Sequence, residues 1–485
     1  MGNGDLERPN ILLVTTDQQR GDTVGPASPD FLRTPHVDQL AREGIRFDRA
    51  YADCAICVPS RMSIMTGRTV LGHGLDRNGN SSDVVDRASS LPSVLRAAGY
   101  QTAAIGKMHF TPERARYGFD EMILPADYYQ EMSRSGSAVQ PMRHGLGQNE
   151  LYPGLATVPE SATLTSWTAE RCVDYIRERR DPQVPFFLWC SFSKPHPPLD
   201  PPEPYYSMYQ DAAIPEPVVG DWVDDGSAPA SFVRAQRNRS YDVMSPEVVR
   251  AARVAYYGLV TQVDYTLGRV LAALQDVSEL ANTLIVFTSD HGEFLGDHRA
   301  GGKIFFHQAC AQVPMVVRMP QTWSERAHGG SSDALVTAAD VFPTIAAAAG
   351  ADVPAHVEGQ DLVSLARGEQ QARPYLVSTA EGRYVAVTNG RWALHWFVEG
   401  GTEQLFDLVD DPGEVRNRSG DDDPDVRAVR ERLRDELVRA FAGTRFVGDD
   451  GKLVTYPVGD DTPEDQRNRS WPGWHTEHFP VDVRH

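Results

Sequence analysis

Two short polar runs and one thiol are where this sequence could do chemistry. Asp17-Gln18 closes an apolar run at residues 11–16, and Asp290-His291-Gly292-Glu293 closes another at 283–289. A carboxylate at the end of one strand is as often a helix cap as a ligand. At the ends of two strands such groups suggest a shared cation, and a carboxylate–imidazole set suits a hard or borderline divalent ion. The thiol is Cys57, in Cys57-Val58-Pro59-Ser60-Arg61-Met62-Ser63 ahead of Thr66-Gly67-Arg68. This spacing predicts a helix starting just after the thiol, with Pro59 near its first turn and Gly67 near its end. The positive end of a helix would lower the thiol pKa or hold an anion. A competing reading takes Cys54-x-x-Cys57 as half of a zinc or redox site, but no second cysteine pair exists to complete it.

These residues need a scaffold to bring them together. Strand-length apolar runs at 11–16, 102–105, 185–191, 283–289 and 313–318 alternate with helical patterns at 34–43, 91–98, 166–179, 247–277 and 338–349. The alternation predicts an α/β fold with a central, mostly parallel sheet sandwiched by helices. In such sheets ligands bind beyond the carboxyl ends of the strands, where both polar runs fall. Thr34-Pro35 reads as a helix N-cap and first helical residue, and Gly44, Gly99 and Gly350 as C-caps. From about Tyr375 short strands (384–388, 392–396, 404–408) and an amphipathic helix (425–441) predict a smaller unit. The expected organisation is a catalytic domain over 1–374 and a smaller C-terminal α+β domain over 375–485. The proline-dense stretch 195–204 reads as an irregular loop and the polar stretch 220–241 as a surface excursion.

Composition narrows the partners. Lys and Arg number 47 against 67 Asp and Glu, a net charge of −20. Nucleic acid is excluded as a partner, because neutralising phosphates needs a broad basic surface. A local cationic pocket for a small anion is still compatible, since charges are screened over about 8 Å at physiological salt. No apolar run approaches the roughly 18–20 residues that cross a bilayer, so no membrane association is expected. The polar start lacks signal-peptide features, which points to a cytoplasmic enzyme. Five cysteines (54, 57, 172, 190, 310) in 485 residues make no disulfide framework. Asn-x-Ser at Asn80, Asn238, Asn417 and Asn468 reads as chance without secretion. A homo-oligomer is compatible with all of this.

The segment 57–68 resembles the type I, formylglycine-dependent sulfatases of the alkaline-phosphatase superfamily, whose signature Cys-x-Pro-Ser-Arg-x4-Thr-Gly-Arg it reproduces. The resemblance continues in order through residues 10–18, Gly106-Lys107-Met108-His109, Ser193-Lys194-Pro195-His196-Pro197-Pro198 and Ser289-Asp290-His291-Gly292. Gly302-Lys303, Asp340-Val341-Phe342-Pro343-Thr344, Leu405-Phe406-Asp407-Leu408, Asp411-Pro412 and Glu414 follow. It implies that a separate formylglycine-generating enzyme converts Cys57 to formylglycine, whose hydrate is the nucleophile. One oxygen of the hydrate attacks sulfur and expels the alcohol, and the other releases sulfate by re-forming the aldehyde. It also implies one divalent metal, Ca2+ with Mn2+ as the alternative, held by Asp17, Gln18, modified Cys57, Asp290 and His291. Arg61, Lys107, Lys194 and Lys303 would surround the sulfate. His109 fits the base and His196 the acid; His73 and Asn78 are weaker candidates, and His298 and His307 read as structural or rim residues.

The substrate implied is a small sulfate ester of aryl, alkyl or choline type. The Asp-Gln and Asp-His pairs depart from the commoner sulfatase pattern and resemble the choline-sulfatase and phosphonate monoester hydrolase branch. A phosphonate monoester hydrolase or phosphodiesterase is therefore the alternative, although Lys107 and His109 favour sulfate. An inactive binding protein would need a missing nucleophile or metal ligand, and none is missing. Segments 117–152 and 200–241 and the C-terminal region would choose the alcohol, with Trp167, Trp189, Trp222 and Trp396 as candidate contacts to a quaternary ammonium.

Overall fold

The apolar run after Pro9 forms β1 (Asn10–Asp17), buried along its whole length at the centre of the main sheet. The computed structural model describes residues 8–460 except 80, 135–140, 148, 239–243 and 324–329. Seven further strands join β1: β2 (Ile45–Tyr51), β3 (Gln101–Gly106), β4 (Glu121–Ile123), β5 (Phe186–Pro195), β6 (Thr283–Ser289), β7 (Met315–Arg318) and β8 (Gly330–Thr337). Their order is β4-β3-β5-β1-β6-β7-β2-β8, and only β7 runs antiparallel to its neighbours. β1 lies between β5 and β6, with Leu12 opposite Leu188 on one side and Ile285 on the other. The expected mostly parallel α/β sheet is the one observed.

Side chains of β1 alternate between two cores, as the strand period requires. Ile11 and Leu13 join Trp189 and Val286 beneath helices Cys57–Thr66, Leu91–Ala97 and Val341–Ala348. Leu12 and Val14 join Leu188 and Phe287 beneath Pro35–Glu43, Leu164–Asp174 and Pro246–Asp276. Helices on both faces explain why the central strands are apolar throughout. Strands β2, β4 and β8 gave no sequence signal. β4 has three residues, and β2 and β8 carry polar residues because they sit toward an edge and are only partly buried.

A second sheet, β12-β11-β10-β9, is antiparallel throughout. Its strands are β9 (Leu376–Ala380), β10 (Tyr384–Thr388), β11 (Trp392–Phe397) and β12 (Thr402–Asp407), and the helix Pro424–Ala440 packs Leu433 and Leu437 on Val385 and Leu394.

Several local expectations are corrected. Thr34 is the N-cap residue, but its side chain caps nothing; Asp264 instead accepts from the backbone N–H of His36 (3.2 Å) and Val37 (2.8 Å). Gly99 and Gly350 are left-handed as expected of C-caps. Gly44 is not, with φ −123°, and is glycine for space: a Cβ would lie 2.3 Å from the Val317 carbonyl oxygen. The stretch 195–204 is irregular only at its centre, because β5 runs through Pro195 and a helix spans Glu203–Gln210. Within the stretch 220–241, the described part, 220–238, is no surface excursion. Trp222 and Phe232 are buried and meet edge to face with ring centroids 5.0 Å apart, beside His298 and His307. The exposed Asp221, Asp224, Asp225 and Arg237 around it gave the stretch a polar pattern that hid this anchoring pair. His298 and His307 are structural, buried in that aromatic cluster and not at a rim. Asn417 makes an internal hydrogen bond to Leu405 N–H (3.0 Å); Asn80 and Asn468 lie outside the described residues. Among the described residues no helix is long and apolar enough to cross a membrane.

Trp222 also donates through Nε1 to the Glu414 carbonyl (2.9 Å), tying the main sheet's loops to the segment after β12. Trp222→Ala should cost about 3–5 kcal/mol. Urea unfolding at fixed pH measures it, and a loss under about 1 kcal/mol would contradict an anchoring role.

Candidate active site

Four parallel strands deliver their carboxyl ends to one place. β1 ends in Asp17 and Gln18, β6 leads into Asp290 and His291, β3 into Lys107 and His109, and β5 carries Lys194 just before His196. Gly106 closes β3 with φ +98°, and a Cβ there would lie 2.0 Å from the Ser191 carbonyl oxygen. Only glycine lets β3 turn so close to β5 before Lys107. Gln18 (φ +70°) and His109 (φ +58°) are also left-handed, a conformation costly for residues with side chains and concentrated at functional sites.

Cys57 opens the helix Cys57–Thr66, every residue of which is buried. Ile56 cannot cap it, and the Asn78 carboxamide oxygen accepts from Val58 N–H instead (3.1 Å). The helix therefore reaches the site with its N-terminus and Sγ foremost. Ligand atoms of Asp17, Cys57, Asp290 and His291 lie within 4.8 Å of one another, all buried. Sγ is 3.2 Å from His291 Nε2 and 3.8 Å from Asp17 Oδ1, while His291 Nε2 is 3.6 Å from Asp290 Oδ1. His291 Nδ1 donates to the Gly292 carbonyl (2.9 Å), which leaves the Nε2 lone pair facing these oxygens. Electron-rich atoms turned toward one another in a buried space fit a divalent cation.

The cations divide into two groups. Arg61, fully buried, donates to Asp290 Oδ2 (2.9 Å), Asp17 Oδ2 (3.3 Å), Ser191 Oγ (2.9 Å) and the Lys107 carbonyl oxygen. It holds both carboxylates in place. Lys107 pairs with Asp17 Oδ2 (2.6 Å) and lines the pocket. Lys303 reaches Gln18 Oε1 (2.7 Å) and Sγ (3.2 Å). Lys194 lies in the pocket wall with its ammonium on Asp200 and the Pro198 carbonyl, apart from the thiol cluster.

Titration follows from this arrangement. Burial opposes ionisation of Cys57, but Lys303, His291 and Lys107 outweigh it and hold the thiol well below its usual value. Burial and the charge of Asp17 push Asp290 up. Burial opposes a charge on His291, yet Asp290 raises it. The field that favours a proton there favours a cation equally. His196 is forced down to about 3 by burial, Lys303 and Lys107; its Nδ1 donates to the Pro197 carbonyl (2.8 Å), so Nε2 faces Asp17 as a lone pair. His109 hydrogen-bonds Cys57, and its buried Nδ1 has no partner among the described residues.

Sequence reasoning gave no role to Glu293, though it stands in the Asp290 run. Its carboxylate accepts from Gln18 Nε2, Leu295 N–H (3.0 Å) and Gly302 N–H, so it positions both Gln18 and the turn that carries Lys303. Ser191, Asn78 as a cap, and Asp200 were equally silent. His73 packs under the helix, 3.2 Å from Ser63 Oγ. Composition did hold one signal: of the four lysines, Lys107, Lys194, Lys303 and Lys452, three lie at this site.

A mostly parallel sheet whose strand ends assemble a buried thiol, a divalent-ion donor set and lysines defines an alkaline-phosphatase-like hydrolase of anionic esters. The chain belongs to the sulfatase family, the sulfuric ester hydrolases: the "Sulfatase" model matches residues 9–351, and a second, "N-sulphoglucosamine sulphohydrolase, C-terminal", matches 296–442. It is 32% identical to an arylsulfatase of Clostridium perfringens over 93% of this chain and 98% of that one. It is 30% identical to a choline-sulfatase of Rhizobium meliloti over 84% and 82%. Among solved structures, a phosphonate monoester hydrolase of Agrobacterium radiobacter superposes with a TM-score of 0.76 at 26% identity, covering 89% of this chain and 95% of that one.

If these donors hold a divalent ion, Asp290→Ala should release most of the bound metal, measured by elemental analysis after gel filtration. Metal content equal to the unsubstituted protein would remove Asp290 from the ligand set.

Proposed function

We propose that this enzyme hydrolyses the sulfate ester of a small aryl, alkyl or choline-type alcohol, with Cys57 oxidised to formylglycine as its nucleophile. The observation that carries the reading is the position of Sγ, at a helix N-terminus among Asp17, His291 and Lys303. A divalent ion, calcium in preference to manganese, fits between Asp17, Gln18, Asp290, His291 and the modified residue. When bound it would favour the ionised hydrate and draw the sulfate oxygens inward. Maturation by a formylglycine-generating enzyme, cytoplasmic residence and assembly as a homo-oligomer belong to the same reading. So does the division into a catalytic part, 1–374, and a smaller part, 375–485.

The protein's own groups would do the remaining work. Lys107 and Lys303, already at the nucleophile, receive the sulfate charge, and Lys194 closes the pocket side. Arg61 holds Asp17 and Asp290 in position. His109, beside Cys57, takes the proton that lets the aldehyde re-form. His196, opposite and just past β5, serves the leaving oxygen once the substrate's negative charge offsets the lysines that keep it neutral.

Phosphonate monoester hydrolysis is the second reading, favoured by the 0.76 TM-score to such an enzyme. The presence of both Lys107 and His109 beside the thiol supports sulfate. Comparing kcat/KM for matched sulfate monoesters, phosphodiesters and phosphonate monoesters decides between them; a phosphonate preference of tenfold or more would replace the sulfate reading. Chelation should abolish turnover, with calcium or manganese restoring it.

Cys57→Ser should abolish multiple turnover of sulfate esters, and Cys54→Ser should keep most of it. Serine has one oxygen and no second one through which to release sulfate. Mass spectrometry of active protein should find residue 57 about 18 Da lighter than a cysteine thiol in its aldehyde form. Sustained turnover by protein with an unmodified thiol would overturn the mechanism.

A further inference from the structure

A cavity of about 440 Å³ opens beside the nucleophile and shares Lys107, His109, Lys194 and His196 with the site. That is toward the small end of the roughly 300–1,000 Å³ typical of small-molecule pockets. Away from the site its wall is apolar and aromatic, with Phe110, Leu124, Tyr129, Met142, Val158 and Leu164. Tyr128 packs edge-on against Tyr129 behind it, ring centroids 5.1 Å apart, and its hydroxyl is committed to the Ala162 carbonyl (2.7 Å).

The charged pair and the carboxamide of this wall are turned on their neighbours. Lys194 spends its ammonium on Asp200, on the Pro198 carbonyl and at 3.4 Å on the His196 carbonyl. His144 Nδ1 accepts from Leu146 N–H (3.0 Å), so its Nε2 carries the proton and donates to Asp200 Oδ2 (3.1 Å). Both carboxylate oxygens of Asp200 are thus taken. Gln262 donates to Thr163 Oγ1 (3.1 Å). Glu113, another carboxylate in the wall, is exposed to water, where an ion pair gains little.

We infer that the cavity takes the alcohol half of the substrate and selects a neutral aromatic one, an aryl sulfate, over choline-type and sugar sulfates. This rests on the sulfate-ester reading for the position of the scissile bond. A quaternary ammonium would sit close to Lys107 and Lys194, whose partner carboxylates, Asp17 and Asp200, are already spent on those lysines. A sugar would lose hydration of several hydroxyls to a wall that is largely apolar and offers few partners in return, which is costly. An aromatic ring loses no hydrogen bonds and gains contacts with Tyr129, Phe110 and the Met142 thioether.

Binding to Cys57→Ala protein, measured by calorimetry, tests this without turnover. 4-Nitrophenyl sulfate should bind at least tenfold tighter than choline sulfate or N-acetylglucosamine 6-sulfate. Tyr129→Ala and Met142→Ala, each added separately, should weaken the aryl ester by about tenfold and about threefold. Inorganic sulfate should bind as before, which reports that the site is intact. Equal binding of the three esters, a preference for choline or sugar sulfate, or an unchanged aryl affinity in both variants overturns the inference. Turnover by enzyme with formylglycine confirmed is the separate arm. Aryl-selective binding with no sulfate ester turned over would sink the sulfatase reading alone; turnover without selectivity would sink this inference alone.

Discussion

A guanidinium with no exposure to solvent grips two carboxylates that belong to different strands, and the site is built around that grip. Arg61 stands one turn into the nucleophile helix and reaches Asp17 at the end of β1 and Asp290 after β6. Its remaining donors reach Ser191 on β5 and the Lys107 carbonyl after β3. One side chain thereby registers the helix that presents Cys57 against four strand ends. Burying such a cluster is expensive, and removing one partner typically costs 3–5 kcal/mol because a charge is left unpaired. The planar five-donor fork of arginine is what makes this multi-strand contact feasible; lysine could not replace it.

The electrostatic layout separates global from local charge. The chain carries a net −20, yet Lys107 and Lys194 line the cavity beside Cys57 and Lys303 reaches its Sγ. A field of that sign over the whole surface disfavours large polyanions, whereas a lysine a few ångströms from a bound anion in a poorly solvated pocket is little screened. The carboxylates beneath the lysines do two things at once. Asp17 raises the pKa of Lys107 against the cost of desolvation, and the carboxylates present oxygens of the kind that suit a divalent ion.

Lys303 depends on a part of the molecule that takes no direct part in the chemistry. Its turn is held by Glu293, and the loop continues through Phe305, Phe306 and His307 into an aromatic cluster with Trp222, Phe232, Phe294, Phe397 and Phe406. Tyr384 on β10 donates to the Ile304 carbonyl (2.5 Å), and Gln308 N–H is accepted by Glu414 (2.7 Å). The antiparallel sheet thus braces the lysine-bearing loop from behind. His395 within it stays neutral, pushed down to about 3 by burial.

The sequence by itself determined what depends on local periodicity and on a contiguous motif. Fully buried strands such as β1 and β6 show as unbroken apolar runs, and the long helix Pro246–Asp276 shows by its apolar stripe. The segment 57–68 carries enough fixed positions to identify the family, and polar residues closing two such strands mark the site. Partly polar strands toward the edge, β2 and β8, were silent because half-exposed residues need no pattern. Only the tertiary structure decided that Arg61 faces carboxylates, that Lys194 is committed to Asp200, that Asp264 caps a helix more than 200 residues away, and that Trp222 is an anchor and Tyr129 a pocket wall. Each of those outcomes is a contact between residues far apart in the chain, settled by which groups must share a buried space, and no local pattern records it.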